Sequence, residues 1–233
     1  MIIGGLQKLT LIDYPGHIAA TVFTVGCNFR CPFCHNPELI SSRHSGIEIS
    51  NYLEDDFFKF LGEREGKLEG VCITGGEPTI QPDIVEFVRK IKSLGYKVKL
   101  DTNGTRPDVL RELFQKKLLD FVAMDVKSSL ENYGKLTNSK TDIERIKLSV
   151  DLIRNSGVDY EFRTTVVPGL HSEENFVKIG EWLKGSKKYA LQAFEDKGKI
   201  LDPKLVKKIK GKKLDLGKIK NKIKKYFGKI EIR

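Results

Sequence analysis

The chain has 233 residues, 39% hydrophobic and 31% charged, which is apolar enough to bury a core and rules out a disordered chain. No stretch approaches the roughly 20 uncharged apolar residues that cross a bilayer, and the N-terminus lacks the basic, apolar, small-residue order of a secretory signal. A cytoplasmic protein with no membrane partner is therefore expected. The net charge of +10 is concentrated at one end: residues 197–233 hold 15 basic and 3 acidic residues, against 26 and 28 in residues 1–196.

In chain order, strand-like apolar runs lie at residues 18–24, 70–74, 97–101, 121–126, 160–167 and 189–194. Amphipathic segments of helical period separate them at 52–64, 84–94, 108–117, 141–155 and 174–183. Strand and helix alternating in this way predict a parallel α/β sheet covered by helices, open or closed into a full or partial barrel. Beyond Asp202-Pro203, breaks at Gly211 and Gly217 and apolar Ile219, Ile223 and Phe227 at helical spacing predict a closing helix, and residues 230–233 an edge strand. The expected division is a core over 1–196 and a lysine-rich extension over 197–233.

Polar and glycine residues gather where these strands end. A cysteine loop follows the first strand and Gly75-Gly76-Glu77-Pro78 the second. Asp101-Thr102-Asn103-Gly104 follows the third, Asp125-Val126-Lys127 ends the fourth and residues 164–168 end the fifth. The carboxyl edge of a parallel sheet is where ligands bind, so this placement reads as chemistry. Asp125 at the end of an apolar strand needs a cation, a ligand hydroxyl or backbone donors beside it. Asp101 has two readings, a ligand contact or an Asx-turn cap of Asn103-Gly104.

The loop Cys27-Asn28-Phe29-Arg30-Cys31-Pro32-Phe33-Cys34 places three thiols within eight residues. Clustered cysteines in a reducing compartment point to a metal or redox role and not to disulfides. Iron–sulfur clusters ordinarily take four thiolates. The remaining cysteine, Cys72, falls inside a strand and reads as a small core residue, which would leave one iron of a four-iron cluster open. A zinc site would have to use His35, awkwardly adjacent to Cys34, and a Cys31–Cys34 dithiol leaves Cys27 unexplained.

The CxxxCxxC spacing with an aromatic residue before the last cysteine, followed by Gly-Gly-Glu-Pro, resembles the radical S-adenosylmethionine (radical SAM) superfamily. Within it, Leu11-Ile12-Asp13-Tyr14-Pro15-Gly16, Cys34-His35-Asn36-Pro37, residues 100–104, Met124-Asp125-Val126-Lys127 and residues 163–169 resemble the activating enzymes of glycyl radical enzymes. The branch most resembled is that of the anaerobic ribonucleoside-triphosphate reductase activating proteins, related to pyruvate formate-lyase activating enzyme.

The resemblance implies a partial (β/α)6 TIM-like barrel and an oxidoreductase. In such proteins three cysteines, here Cys27, Cys31 and Cys34, hold a [4Fe-4S] cluster whose fourth iron binds S-adenosylmethionine. Reductive cleavage of that cofactor gives a 5′-deoxyadenosyl radical, which abstracts hydrogen from the target. Gly75, Gly76 and Glu77 would receive the methionine amino group. Asp101, Thr102, Asp125 and Lys127 would lie near the methionine and ribose ends, with a monovalent cation as a further implication. Phe33 has two readings, beside the adenine or packing the loop, and Lys127 could also be a solvent lysine. Arg163 is read as an ion-pair partner of Asp125, His171 as a loop histidine or helix cap, and Gln192 as standing where close relatives often have a histidine. The expected partners are a glycyl radical enzyme as protein substrate and a flavodoxin- or ferredoxin-type electron donor, docked on Lys220, Lys222, Lys224 and Lys225. A radical enzyme acting on a small molecule or nucleotide precursor is the alternative. A nucleic-acid partner is not expected, because the basic tail carries no recognisable binding motif.

Overall fold

The computed structural model describes residues 1–40, 53–196 and 199–233. One eight-stranded sheet runs in sequence order: β1 (Ile3–Thr10), β2 (Ala19–Thr24), β3 (Gly70–Gly75), β4 (Lys97–Thr102), β5 (Phe121–Asp125), β6 (Asp159–Val166), β7 (Ser186–Ala193) and β8 (Phe227–Ile232). β1 is antiparallel to β2, and every later neighbour is parallel. Strands β2 to β7 are the six read from sequence. No pairing of β8 with β1 occurs among the described residues, so the sheet is an open, partial barrel.

The helices are α1 (Glu54–Glu63), α2 (Ile84–Ser93), α3 (Pro107–Gln115), the short α4 (Tyr133–Thr137), α5 (Ile143–Asn155), α6 (Glu173–Trp182), α7 (Pro203–Ile209) and α8 (Leu216–Ile223). Residue 52, read as the start of α1, lies outside the described residues. Helix α2 buries Ile84, Phe87, Val88 and Ile91, the i, i+3, i+4, i+7 stripe that faces a sheet. Pro107 starts α3, Asp142 caps α5 by accepting from the Glu144 and Arg145 amides, and a Ser172/Asn175 capping box starts α6.

Alternation along the strands separates two environments. Val98 and Leu100 of β4 join the hydrophobic core, while Lys99 and Asp101 point the other way into the barrel. Ala20 and Val22 of β2 behave like the former pair, Thr21 and Phe23 like the latter. Parallel register then stacks Thr21 beside Cys72, Cys72 beside Lys99, and Asp125 beside Arg163. The interior is therefore polar and the outer layer apolar.

Strand β1 has no counterpart in the sequence reading. Its sequence, IGGLQKLT, is an edge strand with an exposed stretch and two glycines, so neither a continuous apolar run nor a clean alternation marks it. At the other end a helix and a strand both form, but Gly217, read as a break, lies inside α8, and Phe227, read on the helix, begins β8, because the chain turns at Lys224–Tyr226. β8 extends the parallel sheet beside β7, with the Tyr189 and Phe227 rings stacked 4.6 Å apart at 8°. Phe227 and Ile230 are buried with Ile219 and Ile223 of α8. Replacing Phe227 by Ala should lower the unfolding free energy by about 3 kcal/mol, measured by denaturant titration; an unchanged midpoint would show that β8 contributes little to the core.

Candidate active site

Two stretches of backbone meet at the carboxyl edge. The Gly76 amide donates to the Thr24 carbonyl (2.9 Å) and the Glu77 amide to the Gly26 carbonyl (2.7 Å). The approach needs glycine. Gly75 has φ +116°, and a Cβ there would stand 2.3 Å from the Thr24 nitrogen; a Cβ on Gly76 would stand 1.9 Å from the Gly26 oxygen. This contact seats the turn after β3 against the residues that lead into Cys27.

Glu77 then ties in a third loop. Its carboxylate is buried and accepts from the Thr79 amide (3.1 Å) and hydroxyl (2.5 Å), the Thr102 hydroxyl (2.7 Å) and the Asn103 amide (2.6 Å). Burial pushes this carboxyl above its usual range, and the four donors offset that only in part. Asn103 in turn donates to the Asn28 side chain (2.8 Å), inside the cysteine loop. Cysteine loop, glycine turn and β4 loop are thus joined side chain to side chain. Neither Asn28 nor Asn103 stood out in the sequence as a site residue, since the pairing spans 75 positions.

Cys27, Cys31 and Cys34 all line one cleft of about 420 Å³, together with Phe33, Gly75, Gly76, Glu77, Asp101, Thr102, Asp125 and Lys127. Every candidate residue named from sequence is brought together there. The volume lies in the range of sites for small molecules and cofactors. Burial pushes the Cys27 thiol up to about 12 and the Cys31 thiol up to about 11, and raises that of Cys34. Cys72 is fully buried in β3 and does not line the cleft, but it faces the polar barrel interior with the Lys99 amino group 3.5 Å from its sulfur, and not the apolar core of Val71 and Ile73 that the sequence suggested, because side chains alternate along the strand. His35 also lines the cleft, but its Nε2 is 2.7 Å from the Glu195 carbonyl and its ring is stacked on Phe194.

Among the described residues no three His, Cys, Asp or Glu side chains converge as the ligands of one metal ion. A cluster is a different requirement, because each thiolate binds a different iron. Three soft thiols lining one cleft, beside a turn that a Cβ would block, fit an iron–sulfur cluster with a small ligand next to it.

The same cleft is lined by a chain of charges. Arg163 donates to Asp125 (2.9 Å) and to Asp101 (3.1 Å), Lys99 pairs with Asp101, and Lys127 stands 3.4 Å from Asp125. Burial opposes ionisation of both carboxyls, but Arg163 with Lys99 or Lys127 outweighs it and holds Asp101 and Asp125 below the usual carboxylate range. Arg163 is thus the ion-pair partner expected, with Asp101 as a second acceptor. Lys127 is not a solvent lysine. Asp101 does not cap the following turn: the Thr102 hydroxyl accepts from the Gly104 amide and the Asn103 side chain from the Thr105 amide. Two carboxylates thus face three protein cations.

His171 is buried and structural. Its Nδ1 accepts from the Val167 amide (3.1 Å) and its Nε2 donates to the Lys127 carbonyl (2.9 Å), a pairing that requires the neutral ring; burial also lowers its pKa. The cap of α6 is Ser172. Gln192 lines the cleft, as does Asp13, whose carboxylate accepts from the Thr21 hydroxyl at 2.7 Å.

Residues 21–183 match the Radical SAM superfamily. A Methanocaldococcus jannaschii protein named as a glycyl-radical enzyme activating enzyme is 35% identical over 237 residues, covering 100% of this chain and 95% of that protein. The pyruvate formate-lyase-activating enzyme of Clostridium pasteurianum is 27% identical over 78% of this chain and 76% of its own length. Among solved structures, Streptococcus suis SuiB bound to S-adenosylmethionine superposes with a TM-score of 0.67 at 15% identity, over 90% of this chain and 48% of SuiB, so the chain spans about half of that larger protein. A domain of pyruvate-formate lyase-activating enzyme from Bacteroides vulgatus gives 0.53 at 17% identity, over 70% of this chain and 98% of that one; at such identities the likeness is one of fold. The chain belongs to the radical SAM superfamily and, within it, to the group of glycyl-radical enzyme activating enzymes. Its cofactors are accordingly a [4Fe-4S] cluster and S-adenosylmethionine.

Two carboxyls of the site, the buried Glu77 and the half-buried Asp125, should respond to pH in opposite senses. Asp125 is depressed, so the stability it contributes is present above its ordinary value of 3.8 and is lost as pH falls. Glu77 is raised, so its contribution is greatest below its ordinary value of 4.5 and is lost as pH rises through the raised one. In denaturant titrations the wild-type advantage over Asp125→Asn should reach about 3 kcal/mol near neutrality and shrink toward pH 3. The advantage over Glu77→Gln should instead be largest below pH 4.5 and shrink toward neutrality. Parallel pH trends for the two variants would contradict the assignment.

Proposed function

We propose that this enzyme uses Cys27, Cys31 and Cys34 to hold a [4Fe-4S] cluster with one open iron, and that it activates a glycyl radical enzyme by removing a hydrogen atom from a glycine of that partner. The observation that carries this reading is the convergence of the three thiols and the Gly75-Gly76 turn on one cleft, enforced by backbone contacts that admit no side chain. The Methanocaldococcus jannaschii relative that covers the whole chain supports the partner class. The narrower target, an anaerobic ribonucleotide reductase, rests on the sequence resemblance alone. A low-potential flavodoxin or ferredoxin is the proposed electron donor, and the cytoplasm, which keeps thiols reduced, the proposed compartment.

When bound, the cluster and S-adenosylmethionine supply reductive carbon–sulfur cleavage and the radical that abstracts hydrogen. The chain's own residues bind and orient. The Gly75-Gly76 backbone leaves room for the amino end of the methionine moiety, and Thr102 and Asn103 hold Glu77 so that the turn cannot withdraw. Asp101, Thr102, Asp125 and Lys127 offer charge of both signs to the methionine carboxylate and the ribose. Arg163 keeps the two aspartates ionised and fixed in place. Phe33 is buried at the cleft wall beside the thiols, where it excludes water and can face the adenine. Groups held in advance of binding need little reorganisation during the reaction.

Anaerobic reconstitution with iron and sulfide tests the ligand set. Wild type and Cys72→Ala should both show the electron-spin signal of a reduced four-iron cluster and release 5′-deoxyadenosine from S-adenosylmethionine, while Cys31→Ala should lose both by at least about a hundredfold. A Cys72→Ala variant without a cluster would sink the three-thiol assignment. For the substrate class, deoxyadenosine release should rise with a glycyl radical enzyme present; a rise only with small molecules or nucleotides would favour the alternative.

A further inference from the structure

The lysines of the C-terminal segment do not form one equivalent surface. Lys218 and Lys222 of α8 pair with Glu173 at 3.0 and 2.6 Å, and Lys229 pairs with Glu231 at 2.9 Å. Lys204, Lys207, Lys208, Lys210, Lys212 and Lys213, in and just after α7, are all exposed, and among the described residues none is paired with a carboxylate. Residues 203–213 include no acidic side chain. Leu205 and Ile209 are buried and dock the helix, so its charged side faces solvent.

The same helix is joined to the cysteine loop. The Leu201 amide donates to the Cys34 carbonyl and the Asp202 amide to the Pro32 carbonyl, each at 3.0 Å. The Asp202 carboxylate then caps α7 by accepting from the Lys204 amide. At 1.5 Å per helical residue, Lys204 to Lys208 lie within roughly 10 Å along the chain of a residue touching that loop. Among the described residues Lys220, Lys224 and Lys225 are likewise without a carboxylate partner, and Lys222 is held by Glu173, so what sets α7 apart is its hydrogen-bonded link to the cysteine loop.

The reaction read from the cleft consumes an electron, and the chain offers no relay for it, since its one further cysteine, Cys72, is single and buried. We infer that the exposed lysine face of α7 is the docking surface of an acidic one-electron carrier protein, which seats the carrier beside the loop of Cys31 and Cys34. The inference rests on the cluster reading above and moves the docking site from Lys220, Lys222, Lys224 and Lys225, in and just after α8, to α7. The carrier loses one electron and the cluster gains it; no bond is made or broken. Charge complementarity selects the partner, because a close, uncompensated set of like charges steers and orients an oppositely charged protein. A nucleic acid would also be attracted to lysines, but nothing in that alternative accounts for the hydrogen bonds that join this helix to the cysteine loop.

The test uses reconstituted holoenzyme with reduced flavodoxin as the probe, comparing wild type, Lys204→Gln/Lys207→Gln/Lys208→Gln and a control, Lys220→Gln/Lys224→Gln/Lys225→Gln. Cluster reduction is followed by stopped-flow absorbance, and binding of labelled flavodoxin by fluorescence anisotropy, at about 50 and 300 mM salt. The α7 variant should bind flavodoxin and be reduced by it about tenfold more weakly at low salt, with the difference closing at high salt. Its cluster content and reduction by dithionite should match wild type, and the control should change by less than about twofold. Wild-type behaviour of the α7 variant with flavodoxin, or an equal loss in the control, overturns the inference. So does tight, α7-dependent binding of a DNA or RNA duplex by a protein that flavodoxin neither binds nor reduces. Wild-type enzyme that forms no cluster reducible by dithionite would instead refute the cluster reading itself, and this inference with it.

Discussion

The close approach of two backbone segments, residues 24–26 and 75–77, is the constraint on which the rest of the site depends. It is possible only because Gly75 and Gly76 carry no Cβ, and two amide–carbonyl hydrogen bonds hold it. Cys27 begins one residue beyond this contact, so the position of the cysteine loop follows from where β3 ends. Glu77 adds the third side. A carboxylate removed from water is costly, and its four donors come from its own turn and from the loop after β4. The cost is offset only when the glycine turn and the β4 end are both in place, and the Asn103–Asn28 hydrogen bond then links that pair to the cysteine loop.

Beneath those loops the barrel holds charge where apolar side chains could fill the space. Lys99, Asp101, Arg163, Asp125 and Lys127 form a continuous series from the buried layer to the cleft. Buried ion pairs rarely improve stability over apolar residues of the same volume, because both partners lose hydration. What they provide is a set of oriented charges that need not rearrange when a zwitterionic ligand arrives. The arrangement is strictly positional: in β4 and β6 alternate residues serve the interior while their neighbours Val98, Leu100 and Phe162 pack under the helices.

The C-terminal segment has two structural roles. Through β8 it lengthens the parallel sheet beyond the six strands of the core pattern, covering the edge of β7. Through Leu201 and Asp202 it braces the cysteine loop from behind, while the Arg30 amide, bonded to the Thr137 carbonyl at 2.8 Å, anchors the same loop from the side of α4. A loop that must offer three thiols at fixed separation is thereby held by backbone bonds at both Arg30 and Cys34.

Much of this was legible in the sequence, and the physical reason is local. Strand and helix periods, proline and glycine breaks and the CxxxCxxC spacing are properties of contiguous residues, so β2 to β7, the outer helices and the three thiols could be read from them. The placement of polar residues after each strand was equally local, and the parallel topology gathered them at one edge. β1 escaped because an edge strand with two glycines has little pattern to show. Tertiary structure alone decided the long-range partners. Arg163 bridges two aspartates, Asn103 reaches Asn28, His171 supports the Lys127 carbonyl, and α7, rather than α8, adjoins the cluster loop. Each of these depends on strand register and crossover geometry. A chain specifies them only through the packing of the whole sheet, since residue type and spacing carry the chemistry of a side chain but not the identity of the group that will meet it.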